Sequence, residues 1–282
     1  MVSKPEGEHL LIEAVEAEVC SPAGGIISVW TINRPDKLNA LNSEVNAALK
    51  QACEWAEHAE EVRVVVIRGA QPNQPPEGKR AKPNAFVAGA DISEFAGKNS
   101  QQISEIFDDN VWEAIWSITK PTIAMIDGFA LGGGSEVALS CDLRVASTRS
   151  NFGTPEINLG IIPGGGGTQR LCKLLGYGKA LEMVMTGEMV NAEEAHRIGL
   201  VNHICDAQDL ESTTMKLAQN LASKSSHTLR VAKAAVRAGL EKPLSEGILD
   251  ERNAFCGLFD SEDQEIGVAA FLSRSQPEWK GA

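Results

Sequence analysis

The spacing of apolar residues changes several times along the chain, and each change marks an element. Residues 10–20 and 26–32 read as extended runs, and Ser21-Pro22-Ala23-Gly24-Gly25 supplies turn chemistry for a hairpin between them. SEVNAALKQACEWAEHAEE carries apolar positions at helical intervals, with Ser43 as a candidate N-cap. It leads into RVVVIRGA, a β-branched run typical of a buried strand. The Pro-rich stretch 71–85 predicts a surface loop. AFVAGADI, a long helical stretch near 100–118 and the buried strand KPTIAMIDGFA follow. After GGGSEVALS, DLRVAS reads as a strand, and a glycine-rich segment to Gly167 precedes helical TQRLCKLLGY and GKALEMVMTG. This alternation predicts an α/β core. From about residue 206 the pattern is helical, with punctuation at SSH, Lys242-Pro243 and Asp260-Ser261-Glu262 implying four helices. The expected organisation is a core carrying the active site over residues 1–200 and a helical region over 201–282.

Composition narrows the function classes. A chain of 282 residues buries a full core without disulfide staples. A net charge of −12 argues against nucleic acid as a partner, because phosphate neutralisation needs clustered Lys and Arg. The concentrated basic stretch is EGKRAKPN, with Lys79, Arg80 and Lys82. No apolar run is long enough to span a bilayer, so no membrane partner is expected. The Glu-rich start lacks a leader pattern, and the expected location is cytoplasmic. Six cysteines (Cys20, Cys53, Cys141, Cys172, Cys205 and Cys256) form no CxxC, and the five histidines form no paired spacing, so no metal site is expected.

Candidate chemistry concentrates on Glu136 and Glu156, each beside flexible glycine backbone: GFALGGGSEVALSCD and NFGTPEINLGIIPGGGGTQR. Gly132, Gly133 and Gly134 precede Ser135 and an apolar helical run, so N–H groups at a helix start can face a developing oxyanion. The competing reading is a glycine turn followed by an exposed helix-start Glu. Other motifs fail. Gly164–Gly167 forms no strand-GxGxxG-helix unit with an acidic residue at the distance a dinucleotide site needs, and GYGKAL has Ala180 where a phosphate loop needs Ser or Thr. Ser135 is not in a GxSxG elbow.

With AFVAGADI, GFALGGGSE and FGTPEINLGIIPGGGGTQRL in one chain, together with INRPDKLNAL, TGEMVNAEEAHRIGLVNHI and FDSEDQEIGVAAFLSR, the sequence resembles the crotonase superfamily over nearly its whole length. It is most similar to the enoyl-CoA hydratases. The resemblance implies an α/β spiral of ββα units with a C-terminal helical trimerisation region, assembled as a homotrimer or homohexamer. It implies an acyl-CoA thioester as substrate, with coenzyme A as part of that substrate and no separate cofactor.

The same resemblance maps an oxyanion hole onto the backbone N–H groups of Ala90 and Gly133, and the catalytic carboxylates onto Glu136 and Glu156. Glu136 takes a proton from water and Glu156 protonates the α-carbon. Gly164 matches a position whose N–H holds the surroundings of the second carboxylate. Substrate contacts map onto the turn from Ala88 through Asp91 and Ile92. Ser93 stands where many hydratases carry a Lys near the CoA phosphates, for which Lys79, Arg80, Lys82, Arg274 and Lys280 are possible substitutes. The implied reaction is reversible addition of water to a trans-2-enoyl-CoA, with crotonyl-CoA and short chains favoured. The alternatives are an enoyl-CoA isomerase or another crotonase-type lyase or hydrolase and, from another class, a non-catalytic CoA- or RNA-binding scaffold. Phe107, Trp112, Trp116 and Phe259 are either pocket walls or core.

Overall fold

Strand β1 (Leu10–Glu16) pairs antiparallel with β2 (Ile26–Ile32), as the two extended runs predict. The computed structural model describes residues 3–19, 21, 24–75, 77–78, 80–108 and 110–282. Cys20, the Pro22-Ala23 part of the expected turn, and Lys79 lie outside the described residues. Helix α1 (Ser43–His58) is capped by Asn42 rather than Ser43. The Asn42 side chain accepts the Val45 N–H at 3.0 Å, while Ser43 spends its own N–H and hydroxyl on Glu94.

Strands β3 (Val62–Gly69) and β4 (Ala85–Val87) follow. The helix expected over 100–118 is instead two, α2 (Ser100–Phe107) and α3 (Val111–Ser117). Asn110 starts the second by accepting the Glu113 N–H at 2.9 Å, a cap that the apolar period alone does not reveal. Then come β5 (Thr122–Ile126), β6 (Phe129–Leu131), α4 (Gly133–Ser140), β7 (Leu143–Ser147) and β8 (Asn151–Gly153). Helices α5 (Gly167–Leu175) and α6 (Tyr177–Thr186), strand β9 (Val190–Asn191), helix α7 (Ala192–Arg197) and strand β10 (His203–Cys205) complete the sheets. Helices α8 (Leu210–Ala222), α9 (Ser226–Gly239), α10 (Leu244–Gly257) and α11 (Glu262–Ser273) close the chain.

The strands form a six-stranded sheet, β1-β2-β3-β5-β7-β10, and a four-stranded one, β4-β6-β8-β9. In three successive pairs, β3/β4, β5/β6 and β7/β8, the first strand enters the large sheet and the second the small one. The chain therefore winds as a spiral, and the expected α/β class is the one observed. Alternation along β3 explains why its run is apolar throughout. Val65 and Ile67 face a core shared with α1, α3 and α4, whereas Val64 and Val66 face Leu210, Ala218 and Ala222 of α8. Both β10 and α8 pack with the large sheet, so its packing runs past residue 200 to Ala222.

Candidate active site

Helix α4 starts where the small sheet ends, and its glycines make that start unusually close to β4. Gly132, at φ +52° and ψ −127°, turns the chain into the helix in a conformation that side-chain-bearing residues avoid. A Cβ on Gly134 would collide with the Val87 carbonyl oxygen. The close approach sets Gly133 beside the turn after β4, so that a Cβ on Gly133 would lie 3.5 Å from the Ala90 nitrogen. Gly133 opens the helix, where first-turn N–H groups have no intrahelical acceptor. The Ala90 N–H is not spent in the bridge to Leu41. That bridge uses the Leu41 N–H to the Gly89 carbonyl at 2.9 Å and the Asp91 N–H to the Leu41 carbonyl at 2.7 Å. Ala90 and Gly133 both line a cleft of about 930 Å³, within the size of a small-molecule site.

Glu136, one helical turn after Gly133, also lines this cleft and is only 2% exposed, which disposes of the exposed helix-start reading. Its Oε1 accepts the N–H groups of Gly165 and Gly167, each at 2.8 Å. Burial pushes its pKa up to about 7, against the opposing pull of the Gly167 and Gly165 bonds, and repulsion from Glu156 adds to the rise. Glu156 projects from the short 3₁₀ segment Pro155–Leu159 into the same cleft. Its Oε1 lies 2.9 Å from where a Cβ on Gly132 would stand, and its buried Oε2 meets no hydrogen-bond donor among the described residues. Burial raises its pKa as well.

Other expected residues divide. Ala88, Ile92 and Gly164 line the cleft, Gly164 beside the ring of Phe107. Two neighbouring glycines, Gly165 and Gly167, donate their N–H groups to Glu136. Asp91 and Ser93 do not line the cleft. The Asp91 carboxylate accepts the Ser93 hydroxyl at 2.6 Å and the Arg34 guanidinium at 3.0 Å, bonds that hold its pKa below the ordinary carboxylate value. Arg34 also donates to the Ala40 carbonyl at 2.7 Å, so Asp91 pins the turn that carries Ala90.

Of the four aromatics, Phe107 and Trp112 are walls, stacked with ring centroids 5.5 Å apart. Trp116 lines a different cavity, and Phe259 lies exposed beside Phe255. Arg80, Lys82, Arg274 and Lys280 are also absent from the cleft lining. Sequence reading missed Gly165 and Gly167, whose signal was the glycine run itself, and Lys98, a cation on the cleft rim with no periodic signature. Among the described residues no cluster of His, Cys, Asp and Glu is placed to hold a metal ion, and no helix is long and apolar enough to cross a membrane.

Residues 23–282 match the family model of the enoyl-CoA hydratase/isomerase family. The chain is 38% identical over 256 residues to a short-chain-enoyl-CoA hydratase of Clostridium acetobutylicum, covering 90% of this chain and 94% of the relative. It is 37% identical over 250 residues to a crotonyl-CoA hydratase of Syntrophomonas wolfei, covering 88% and 92%. Among solved structures, an enoyl-CoA hydratase from Bacillus anthracis superposes with a TM-score of 0.86 at 31% identity, covering 97% of this chain and all of that one.

Proposed function

The chain belongs to the enoyl-CoA hydratase/isomerase family, and from that premise we propose that it is an enoyl-CoA hydratase, adding water reversibly to a trans-2-enoyl-CoA to give the 3-hydroxyacyl-CoA. The observation that carries the proposal is the pairing of Glu136 and Glu156 in one cleft beside the Ala90 and Gly133 N–H groups.

The thioester oxygen is held by those two N–H donors, each contributing roughly 3–4 kcal/mol as charge moves onto it. Glu136, as carboxylate, takes a proton from water while the water oxygen bonds to the β-carbon and the double-bond electrons move to the thioester oxygen. The resulting enolate collapses as Glu156, as carboxylic acid, protonates the α-carbon. Proton return from Glu136 to Glu156 restores the pair. The environments support this division. Two N–H donors favour the charged form of Glu136, and the unpartnered Oε2 of Glu156 favours the neutral form. Repulsion from Glu156 raises the Glu136 pKa, so the titrations of the two groups are coupled.

Crotonyl-CoA is the first substrate proposed, coenzyme A entering as part of the substrate with no separate cofactor. The test is incubation of the purified protein with crotonyl-CoA, following loss of the conjugated-thioester absorbance and weighing the product. A gain of one water supports the reading. Conversion of a 3-enoyl-CoA with no hydration of any 2-enoyl-CoA would replace it with an isomerase.

A cytoplasmic location belongs to the same proposal, as does the division into a core over 1–200 and an oligomerisation region over 201–282. Apolar side chains stand open on the last helices, Leu244 at 80% and Phe271 at 84% exposure, which supports self-association; the homotrimer or homohexamer is what the family resemblance adds. Light scattering tests it, and a monomer at micromolar concentration would exclude it.

A further inference from the structure

The loop that holds Glu136 is a run of four glycines, Gly164 to Gly167, and four such residues have little conformational preference of their own. Something outside the run must hold it still. Arg170 sits in the first turn of α5, and helical side chains lean toward the N-terminus. Its Nη1 reaches back to donate to the Gly165 carbonyl oxygen at 2.7 Å, while the N–H of that same residue donates to Glu136. The guanidinium is itself clamped. Its Nη2 donates to Glu113 at 2.8 Å, and its carbon lies 5.0 Å from the Trp116 ring centroid. Arg237 of α9 lies over the same ring at 3.9 Å and pairs with Asp142 at 2.8 Å. Arg170, Trp116 and Arg237 line a second cavity of about 730 Å³ and are absent from the lining of the cleft, so Arg170 acts from behind the loop.

We propose that Arg170 is a positioning residue: by fixing from behind the Gly165–Gly166 peptide, which lies between the two donor peptides, it keeps the Gly165 and Gly167 N–H groups aimed at the Glu136 carboxylate. The charged groups acting on Glu136 are Glu156, which repels its charge, and Arg170, which favours it. Losing Arg170 therefore weakens both the hydrogen bonds and the attraction that keep Glu136 ionised, and both losses move its titration to higher pH. The expected effect on turnover rests on the hydratase reading; the effect on Glu136 titration does not.

The experiment compares wild type with Arg170→Ala, Arg170→Lys and Glu113→Gln, the last removing only the charge of the exposed clamp on Arg170. In chains labelled with carbon-13 at the Glu side-chain carboxyl, the Glu136 signal is identified by its absence in Glu136→Gln and titrated in each variant. With crotonyl-CoA, kcat and KM are measured against pH. Arg170→Ala is expected to lower kcat by about tenfold to a hundredfold with KM changed less than about threefold. Its Glu136 titration and the acid limb of its kcat profile are expected to move to higher pH, with Arg170→Lys intermediate and Glu113→Gln showing a smaller move in the same direction. An unmoved Glu136 titration in every variant that folds overturns the proposal, even if activity falls. If wild type hydrates no enoyl-CoA, the hydratase reading fails, and the titration still decides the role of Arg170.

Discussion

The indole N–H of Trp112 donates to the carbonyl oxygen of Gly133 across 2.9 Å of buried space. One end of the first residue of α4 is thereby tied to α3, leaving its own N–H at the edge of the cleft. In Trp112→Phe the ring stack with Phe107 survives, but the Gly133 carbonyl loses its donor, at about 1–3 kcal/mol for a buried unsatisfied group. A drop in kcat of about tenfold is expected as the proposed oxyanion donor, the Gly133 N–H, loosens. Steady-state kinetics of the variant, with its urea unfolding curve alongside, check both numbers.

In the proposed mechanism, removing either carboxylate disables one of the two proton transfers. Glu136→Gln and Glu156→Gln should each lower hydration of crotonyl-CoA by about 10²–10⁴-fold. The double substitution should cost little more than the worse single one, because the two groups act as a unit. Multiplying losses would mean independent roles, against a shared proton.

Burial of Glu136 also sets a stability signature. Its pKa rises from an ordinary 4.5 to about 7 on folding, so between those values the folded chain binds more protons than the unfolded one. Stability must then fall as pH rises through that window, and the penalty is complete above it, at roughly 3 kcal/mol. Glu136→Gln keeps an oxygen for the two glycine N–H bonds and never ionises. It should be more stable than wild type at pH 8 and about equal to it at pH 4.5, read from urea midpoints at the two pH values. No gain at pH 8 would show that the folded carboxylate ionises without cost.

The same titration predicts the activity profile. The proposed base must be unprotonated, so kcat/KM, which reports the free enzyme, should rise with pH through about 7, the value to which burial pushes Glu136. Glu136→Gln should abolish that limb along with most of the activity.

Lys98 stands exposed on the cleft rim of a chain whose net charge is −12, while Ser93, which the resemblance sets in place of a phosphate-facing lysine, hydrogen-bonds Asp91. Lys98→Ala should raise KM for an enoyl-CoA by about threefold to tenfold with little change in kcat, the mark of binding made equally in ground and transition states. The corresponding pantetheine thioester, which lacks the nucleotide phosphates, should show no such change.

Element order was legible because it rests on local properties. β-Branched runs such as RVVVI, helical spacing in α1 and the four-helix C-terminal stretch each announce themselves within about a dozen residues. Where two caps lay side by side, the local signal was ambiguous. Asn42 took the role expected of Ser43 because Glu94, fifty-one residues away from Ser43, had engaged the serine. Similarly, an apolar period continuous through 100–118 concealed the fresh start at Asn110.

By itself, the sequence determined that the chain alternates strand and helix and that Glu136 and Glu156 lie beside glycine runs free of side-chain bulk. These are properties of neighbours along the chain. Only the tertiary structure decided that Glu136 is buried, that Gly165 and Gly167 hold it from 29 and 31 residues away, and that Asp91 turns to Arg34 instead of the cleft. The physical reason is that burial and hydrogen-bond partnership depend on which distant segments exclude water together. A carboxylate's pKa, and with it the division between acid and base, is therefore settled only once the spiral has closed around it.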